Sequence, residues 1–532
     1  MTWSFAFGAP QLLAGALAAI VLCAIGAKRL RLPYPIVFIV AGAALAFIPN
    51  LPPVPIDPQY IFLIVLPPLL FYGGWSTDWR IFVQNLRPIM LLAVGLVFIT
   101  TFAVASTAHA FGFPWAAAFV LGAIVSPPDA VAASAIFERF SIPRRVAAIL
   151  EGEGLVNDGT ALVLYRFAIL AAVSGTFSPV VASMSFVIVA VGGILIGILV
   201  GMAVDRGTQW LATLDLNDSL IDNLVFLLAP YVAYLGAEAI GVSGVLATAA
   251  AGVLVSRRAS IIYSPETRLV SRSVWRLLNY LLNGFIFLLI GLQLRGIVLG
   301  SPDIGRQVRI GAIVTLVAIV VRIVWVIFAT LLPRWLSPAL ARRDPIPSWK
   351  AITLLAWTGL RGIVSLAAAL ALPLHDGAGR PFAFRDDIIF VTFFVIAVTL
   401  VGQGLSVIPL LRWLKLDVDS ESVDEREVEV RIAALRAGLE RLSSIEQPDS
   451  SVDEWEVLGR LRAEYEHRIE HLRSHLPGEA ESDASRFDHR LQDEALDAER
   501  AAIMQMREEG RIPDDIFRRI EYDLDLAQTR LS

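Results

Sequence analysis

Glu151-Gly152-Glu153-Gly154-Leu155-Val156-Asn157-Asp158-Gly159-Thr160-Ala161-Leu162-Val163-Leu164-Tyr165 sets three carboxylates and an asparagine inside an apolar segment running from 144 to 173. A charge at the centre of a bilayer costs roughly 2.5–3.5 kcal/mol on insertion scales, so such residues face a protein interior or an aqueous cavity rather than lipid. One apolar segment earlier, Ser126-Pro127-Pro128-Asp129-Ala130 adds a further acid.

The surrounding chain fits that reading. Its 532 residues are 56% hydrophobic and 17% charged, with a mean hydropathy of +0.66, outside the range of soluble enzymes. Residues 1–416 carry 28 Lys and Arg against 18 Asp and Glu, whereas 417–532 carry 16 against 31. This break divides a membrane domain, 1–416, from an acidic domain, 417–532. An acidic tail argues against nucleic acid as a partner, because phosphate contacts need clustered Lys and Arg. Cys23 is the only cysteine, so neither a disulfide nor a cysteine metal cluster forms within the chain. The first apolar segment lacks a basic flank before it and is followed by Lys28 and Arg29, which reads as a retained span rather than a cleaved signal.

Apolar runs long enough to cross a bilayer fall near 9–27, 33–48, 58–75, 87–110, 115–137, 144–173, 178–204, 219–239, 242–256, 274–298, 308–333, 349–373 and 387–411. Alternating the loops puts twenty Lys and Arg on one side and five on the other, so the N-terminus is expected outside and the tail in the cytoplasm. The fifth run is interrupted by Pro127 and Pro128. The twelfth carries Thr358-Gly359-Leu360-Arg361-Gly362. Two interruptions seven segments apart are what two inverted halves joined by the seventh helix require. The expected fold is therefore an all-α polytopic membrane protein of about thirteen spans in inverted repeats, broken at helices 5 and 12, with a helical cytoplasmic tail.

Helix breaks in mid-membrane expose unpaired backbone groups and opposed dipoles. Asp129 suits the positive N-terminal end of a half-helix, and Arg361 is the counter-charge for a negative C-terminal end. Glu153 and Asn157, four apart, share a face, and Gly152, Gly154 and Gly159 keep their helix thin. Arg322, in an otherwise apolar stretch, needs an anion; pairing with Glu153 makes a structural charge pair and leaves Asp158 and Asn157 for an ion. The whole suggests a buried site where a carboxylate exchanges a cation for a proton. Arg166 reads as a helix-end residue reaching the interface, and Asp222 and Glu238 as groups lining vestibules or meeting water. Gly241-Val242-Ser243-Gly244 fits a serine-protease pattern, but the only histidines before the tail, His109 and His375, fall at helix ends, away from it. Asp129 and Asp158 lack the Gly-x-Gly-Asp of an intramembrane aspartyl protease. No enzyme activity is expected.

Pro128-Asp129-Ala130-Val131 followed by Glu151-Gly152-Glu153-Gly154-Leu155-Val156-Asn157-Asp158, with Leu66-Pro67-Pro68, Gly359-Leu360-Arg361-Gly362 and Gly402-Gln403-Gly404, resembles the cation:proton antiporter-1 family of sodium/proton exchangers. The resemblance implies that Asp158 is the essential carboxylate, with Asp129 beside it and Asn157 completing an Asn-Asp pair. It also implies the Glu153–Arg322 pair and bound Na⁺ at Asp158 and Asp129. Two positions depart from the family: Gly154, where relatives often have Ser, and Tyr72, where an acid is common. The cation must then find other oxygens, such as the Pro128 carbonyl or water. The expected activity is electroneutral Na⁺ (or Li⁺) exchange for H⁺ by alternating access, since Asn157 has no titratable proton; K⁺/H⁺ exchange and a gated cation channel are the alternatives. No cofactor is expected. The resemblance implies a homodimer, and the expected partners are membrane lipid and that second copy, in a bacterial inner membrane.

The tail reads as helical with breaks at Pro448 and Pro477, and with amphipathic stretches at 497–507 and from Pro513 that could self-associate or bind a regulator. His467, His471 and His475 form a helical stripe, a solvated face more than a pH sensor.

Overall fold

The computed structural model describes residues 9–48, 61–137, 142–174, 179–216, 218–300, 303–376, 379–414, 420–445, 452–474, 483–509, 511, 513, 516–517, 520–521, 524–525 and 528. Among them the chain is helical apart from turns and one isolated bridge between His375 and Pro381. Nine described helices are long and apolar enough to cross a membrane, and Tyr34–Ala46 and Phe62–Ser76 are shorter apolar helices. The chain divides into two compact units, Met1–Asp417 and Val418–Ser532.

In the first unit the main helices are α1 (Ala9–Leu30), α2 (Tyr34–Ala46), α3 (Leu66–Ser76), α4 (Val97–Ala110), α5a (Trp115–Val125), α5b (Ala130–Phe137), α6 (Arg144–Ser174) and α7 (Pro179–Thr213). They continue as α8 (Ser219–Ala239), α9 (Gly244–Ile262), α10 (Pro265–Leu292), α11 (Ile304–Leu336), α12a (Trp349–Trp357), α12b (Ile363–Leu370) and α13 (Arg385–Ala397). A wider π-helical turn, Val398–Gln403, carries α13 on into Gly404–Leu414.

Both expected interruptions are present, each with a local cause. Neither Pro127 nor Pro128 can donate to a helical ladder, so α5a stops at Val125 and α5b starts at Ala130. Between α12a and α12b, Thr358 turns its hydroxyl back to Leu354 O at 2.7 Å, and the chain passes extended through Gly362 at φ −146°, ψ −140°. Wider turns of the α13 kind recur where a helix must release a backbone or side-chain group for another use. Here the Thr399 hydroxyl accepts the Arg361 amide at 3.0 Å, and Gln403 donates to Trp357 O at 3.3 Å, so α13 holds the break in α12.

The three largest apolar clusters of the unit join its helices. One joins α4, α5a, α11, α12b and α13 through residues such as Leu121, Val314, Ala368 and Val391. A second packs α3, α7, α8, α9 and α10 around Phe71, Val255 and Trp275. A third runs between these groups, with Phe38, Ile136, Ile149, Phe287, Leu360 and Leu400.

Several expected boundaries shift. The seventh segment, expected to end at 204, continues as α7 to Thr213, because Asp205 is not at a water boundary: its buried carboxylate accepts the Tyr263 hydroxyl at 2.8 Å. The tenth begins at Pro265 rather than 274, where Ser264 caps the helix by accepting from Thr267 N at 3.1 Å. Ser243, the protease-like serine, is a cap of the same kind, accepting from Leu246 N at 3.2 Å at the start of α9.

In the second unit α14 (Ser420–Ile445), α15 (Val452–Ser474) and α16 (Asp483–Glu508) are helical. Val428, Ile432 and Ile469 bury together between α14 and α15. Ile503 on α16 buries with Phe517 and Leu524, so the two amphipathic stretches of the tail cover each other within the chain. Pro448, Pro477 and His475 lie outside the described residues; His467 is exposed on α15, which also carries His471.

Candidate functional site

The breaks in α5 and α12 meet. Asp129 N donates to Leu360 O at 2.6 Å, joining one interrupted backbone to the other. The four half-helix ends around this junction are served by two side chains of opposite sign. The Asp129 carboxylate accepts from Val131 N at 2.9 Å and Ala132 N at 3.3 Å, capping the positive end of α5b. Its other oxygen lies against Gly362, at the start of α12b, where any side chain would occupy the place of the carboxylate. Arg361 serves the negative ends: Nε donates to Val125 O of α5a at 3.0 Å and Nη1 donates to Gly359 O.

Arg322 of α11 and Glu153 of α6 form a two-pronged ion pair, Nη1 to Oε1 at 2.6 Å and Nη2 to Oε2 at 3.0 Å, both residues being 1% exposed. Parallel bonds of this kind are the strongest geometry open to an arginine and a carboxylate. Arg322 Nε also donates to Leu355 O at 3.3 Å, so a single guanidinium links α6, α11 and α12a.

Asn157 is fully buried and donates from Nδ2 to Pro128 O at 2.8 Å. The Pro128 carbonyl, expected from the sequence as an oxygen for the cation, thus already accepts one hydrogen bond. Asp158, the next residue on α6, is half-buried, and no described donor hydrogen-bonds its carboxylate. Gly154, one turn below, is packed so closely on Ala130 that a Cβ there would run into the Ala130 methyl.

Asp158 and Asp129 line one cavity of ≈430 Å³, together with Tyr72, Pro128, Glu151, Gly154, Asn279 and Gly362. Its α6 lining residues run from Ala147 to Asp158, toward the end of the helix that bears Arg144 and Arg145. Beyond Asp158, side-chain contacts tie α6 to its neighbours. Tyr165 donates to Ala368 O at 2.9 Å, and Arg166 Nη2 contacts both Glu238 oxygens at 2.6 and 2.7 Å.

Two sequence readings change here. Arg166 and Glu238, expected as an interface residue and a vestibule residue, find each other across α6 and α8, and Glu238 also accepts from Gly244 N at 3.1 Å. Asp222, expected to meet water or a vestibule, is 3% exposed and accepts the Thr267 hydroxyl at 3.1 Å. Among the described residues no group of three or more His, Cys, Asp or Glu is placed to hold a metal ion as a cluster. Glu151 and Asn279 had been given no role. For Glu151 the signal lay in its spacing, seven residues before Asp158 and so on the same helical face. For Asn279 it was an amide in an apolar run, paired one turn later with Asn283, which donates to its side chain at 3.0 Å.

A multi-pass protein whose two broken helices meet beside buried acids has the construction of a secondary transporter. The family described as sodium/hydrogen exchanger, transmembrane, matches residues 15–413, and the chain belongs to it. An uncharacterized Na⁺/H⁺ exchanger of Mycobacterium tuberculosis is 32% identical over 522 residues, covering 97% of this chain and 94% of that relative. A sodium, potassium, lithium and rubidium/H⁺ antiporter of Bacillus subtilis is 32% identical over 497 residues, covering 91% of this chain and 72% of that relative. The solved sodium proton antiporter of Methanocaldococcus jannaschii at pH 8 shares the fold, with a TM-score of 0.56 and 18% identity over 76% of this chain and 98% of its own.

Proposed function

We propose that the chain is an electroneutral Na⁺/H⁺ antiporter in which Asp158 carries either the cation or the proton, with Asp129 beside it. The observation that carries this reading is the charge balance at the junction. Asp129, Asp158 and Glu153 stand against Arg322 and Arg361, which leaves a single negative charge when all five are ionised. Burying a net charge is costly, so the site favours the state neutralised by one monovalent cation or one proton. Sodium and proton then compete for one carboxylate, and Asn157, which cannot titrate, adds nothing to the count.

Alternating access supplies the coupling. In this reading α4–α6 and α11–α13 move as a bundle against α1–α3 and α7–α10, related by inverted repeats, in a homodimer of the bacterial inner membrane. The positive-inside count puts the cavity mouth and the tail in the cytoplasm and the N-terminus outside, so the conformation is inward-open. K⁺/H⁺ exchange is the second reading, favoured by the relative named for sodium, potassium, lithium and rubidium and by Gly154 and Tyr72, which leave the cation shell without two side-chain oxygens common in the family.

The test is transport in proteoliposomes. Asp158→Asn is expected to abolish pH-driven Na⁺ uptake, and persistence of uptake overturns the assignment of the site. A current under a membrane potential alone, with no chemical gradient, overturns electroneutrality.

A further inference from the structure

We propose that Glu151 is the cytoplasmic capture residue of the exchange cycle, a carboxylate that concentrates monovalent cations at the mouth of the cavity for delivery to Asp158. The inference rests on the reading of Asp158 as the exchanging group and adds to it a residue that the reaction itself does not require.

Four observations carry it. Glu151 lines the same cavity as Asp158 and Asp129. It stands seven residues before Asp158, two helical turns and about 10 Å along α6 on the same face. The residue is exposed, and its carboxylate takes no ion pair or hydrogen bond from any described residue. Among the described residues the cavity lining contains the carboxylates of Glu151, Asp129 and Asp158 and no Lys, Arg or His. The other ionisable groups among the described lining residues are the phenols of Tyr34 and Tyr72. Arg145, in the first turn of α6, is committed to Asp344 at 2.7 Å and Asn85 at 2.9 Å.

An unpaired carboxylate on a membrane helix is tolerable only where water reaches it, so the mouth of the cavity is wet. A charge of one sign in a cleft with low-dielectric walls raises the local concentration of counter-ions. Across about 10 Å, one charge changes the energy of a cation at Asp158 enough to alter apparent affinity between ~2-fold, at the dielectric of water, and ~15-fold, at the effective value of a protein surface. The effect belongs to one membrane face, because the α6 residues lining the cavity run from Asp158 toward the end that bears Arg144 and Arg145.

The experiment compares Na⁺ KM on the two faces, using the full chain in inside-out and right-side-out vesicles at low ionic strength. Glu151→Gln is expected to raise the cytoplasmic-face KM ~2- to ~15-fold, with the outer-face KM little changed. Glu151→Lys is expected to raise it further, and Glu151→Asp to stay close to the wild type. Added choline chloride is expected to shrink the differences by screening. An unchanged cytoplasmic KM, or equal changes on both faces, overturns the proposal. Activity persisting in Asp158→Asn would instead overturn the assignment of the site, so the two failures are separate.

Discussion

Removing one partner of the Glu153–Arg322 pair should damage the protein far more than removing both. In Glu153→Gln the Arg322 guanidinium, 1% exposed, keeps its charge and loses the carboxylate bonded to it at 2.6 and 3.0 Å. It also stays beside a second cation, since Arg322 Cδ and Arg361 Nη1 both lie at the open side of Gly359. Breaking a buried ion pair typically costs about 3–5 kcal/mol, and two adjoining guanidinium groups place this case toward the upper end. Arg322→Met alone leaves Glu153 buried and unpaired, with a similar cost. The double variant Glu153→Gln, Arg322→Met removes both charges from a site where an apolar pair is often as stable as an ionic one, so it should recover most of the loss. Equilibrium unfolding in mixed detergent micelles, followed by circular dichroism, gives the four free energies of the cycle. A coupling energy near 3 kcal/mol is expected. Additive costs, or a single-variant cost below about 1 kcal/mol, would refute the reasoning.

Gly154→Ser restores a residue frequent in the family, yet its Cβ would meet the Ala130 methyl; a cost of about 1–3 kcal/mol from overpacking is expected, with slower exchange, and Ala130→Gly in the same chain should recover both, as thermal unfolding and proteoliposome flux will show. Asp344 lies in the loop before α12a and is contacted by Arg87, Arg145 and Arg334 at 2.7–3.0 Å. Burial pushes its carboxyl up, but the hydrogen bonds and charges of Arg145 and Arg334 outweigh that and hold it below the usual carboxylate value. A group lowered in this way stabilises the fold above its unfolded value, about 3.9 for Asp, and the contribution is lost as pH falls through the folded value. The stability gap between wild type and Asp344→Asn should therefore be full at pH 7 and close only below about pH 4; a gap that closes near neutrality contradicts this. The Arg166–Glu238 pair spans α6 and α8 with side chains 47% and 28% exposed, so Glu238→Gln should move the inward/outward balance outward by only ~1.4- to ~5-fold, the range of exposed pairs. Spin-label distance distributions between α6 and α8 would show it, and an unaltered distribution would mean the pair is not a gate.

What could be read from the chain depended on how lipid penalises each kind of error. Charges in apolar runs are conspicuous, so Asp129, Glu153, Asp158, Arg322 and Arg361 stood out before any helix was placed. The proline pair at 127 and 128 marked the break in α5 because its effect is local and steric. Pairings that depend on how helices are rotated against each other were far less legible. Nothing in the sequence distinguishes Arg166 reaching for the interface from Arg166 reaching for Glu238, and the full burial of Asp205 against Tyr263 was hidden by polar neighbours that resemble a helix end. Cavity shape is absent from sequence altogether, so the seven-residue spacing of Glu151 from Asp158 gave a shared helical face but not a shared cavity.

The structure also changes the meaning of the neutral residue beside the titrating one. Asn157 had been read by what it lacks, a second carboxyl proton. Its amide donates to Pro128 O at 2.8 Å, fixing α6 to the interrupted chain just before Asp129. An aspartate at this position, when ionised, would offer no donor to that carbonyl and would raise the buried excess of negative charge from one to two. Asn157→Asp should therefore loosen the junction of α6 with the break in α5 as well as add a titrating group. A gain of proton stoichiometry at the expense of stability, seen together in flux and unfolding measurements, follows from that single contact.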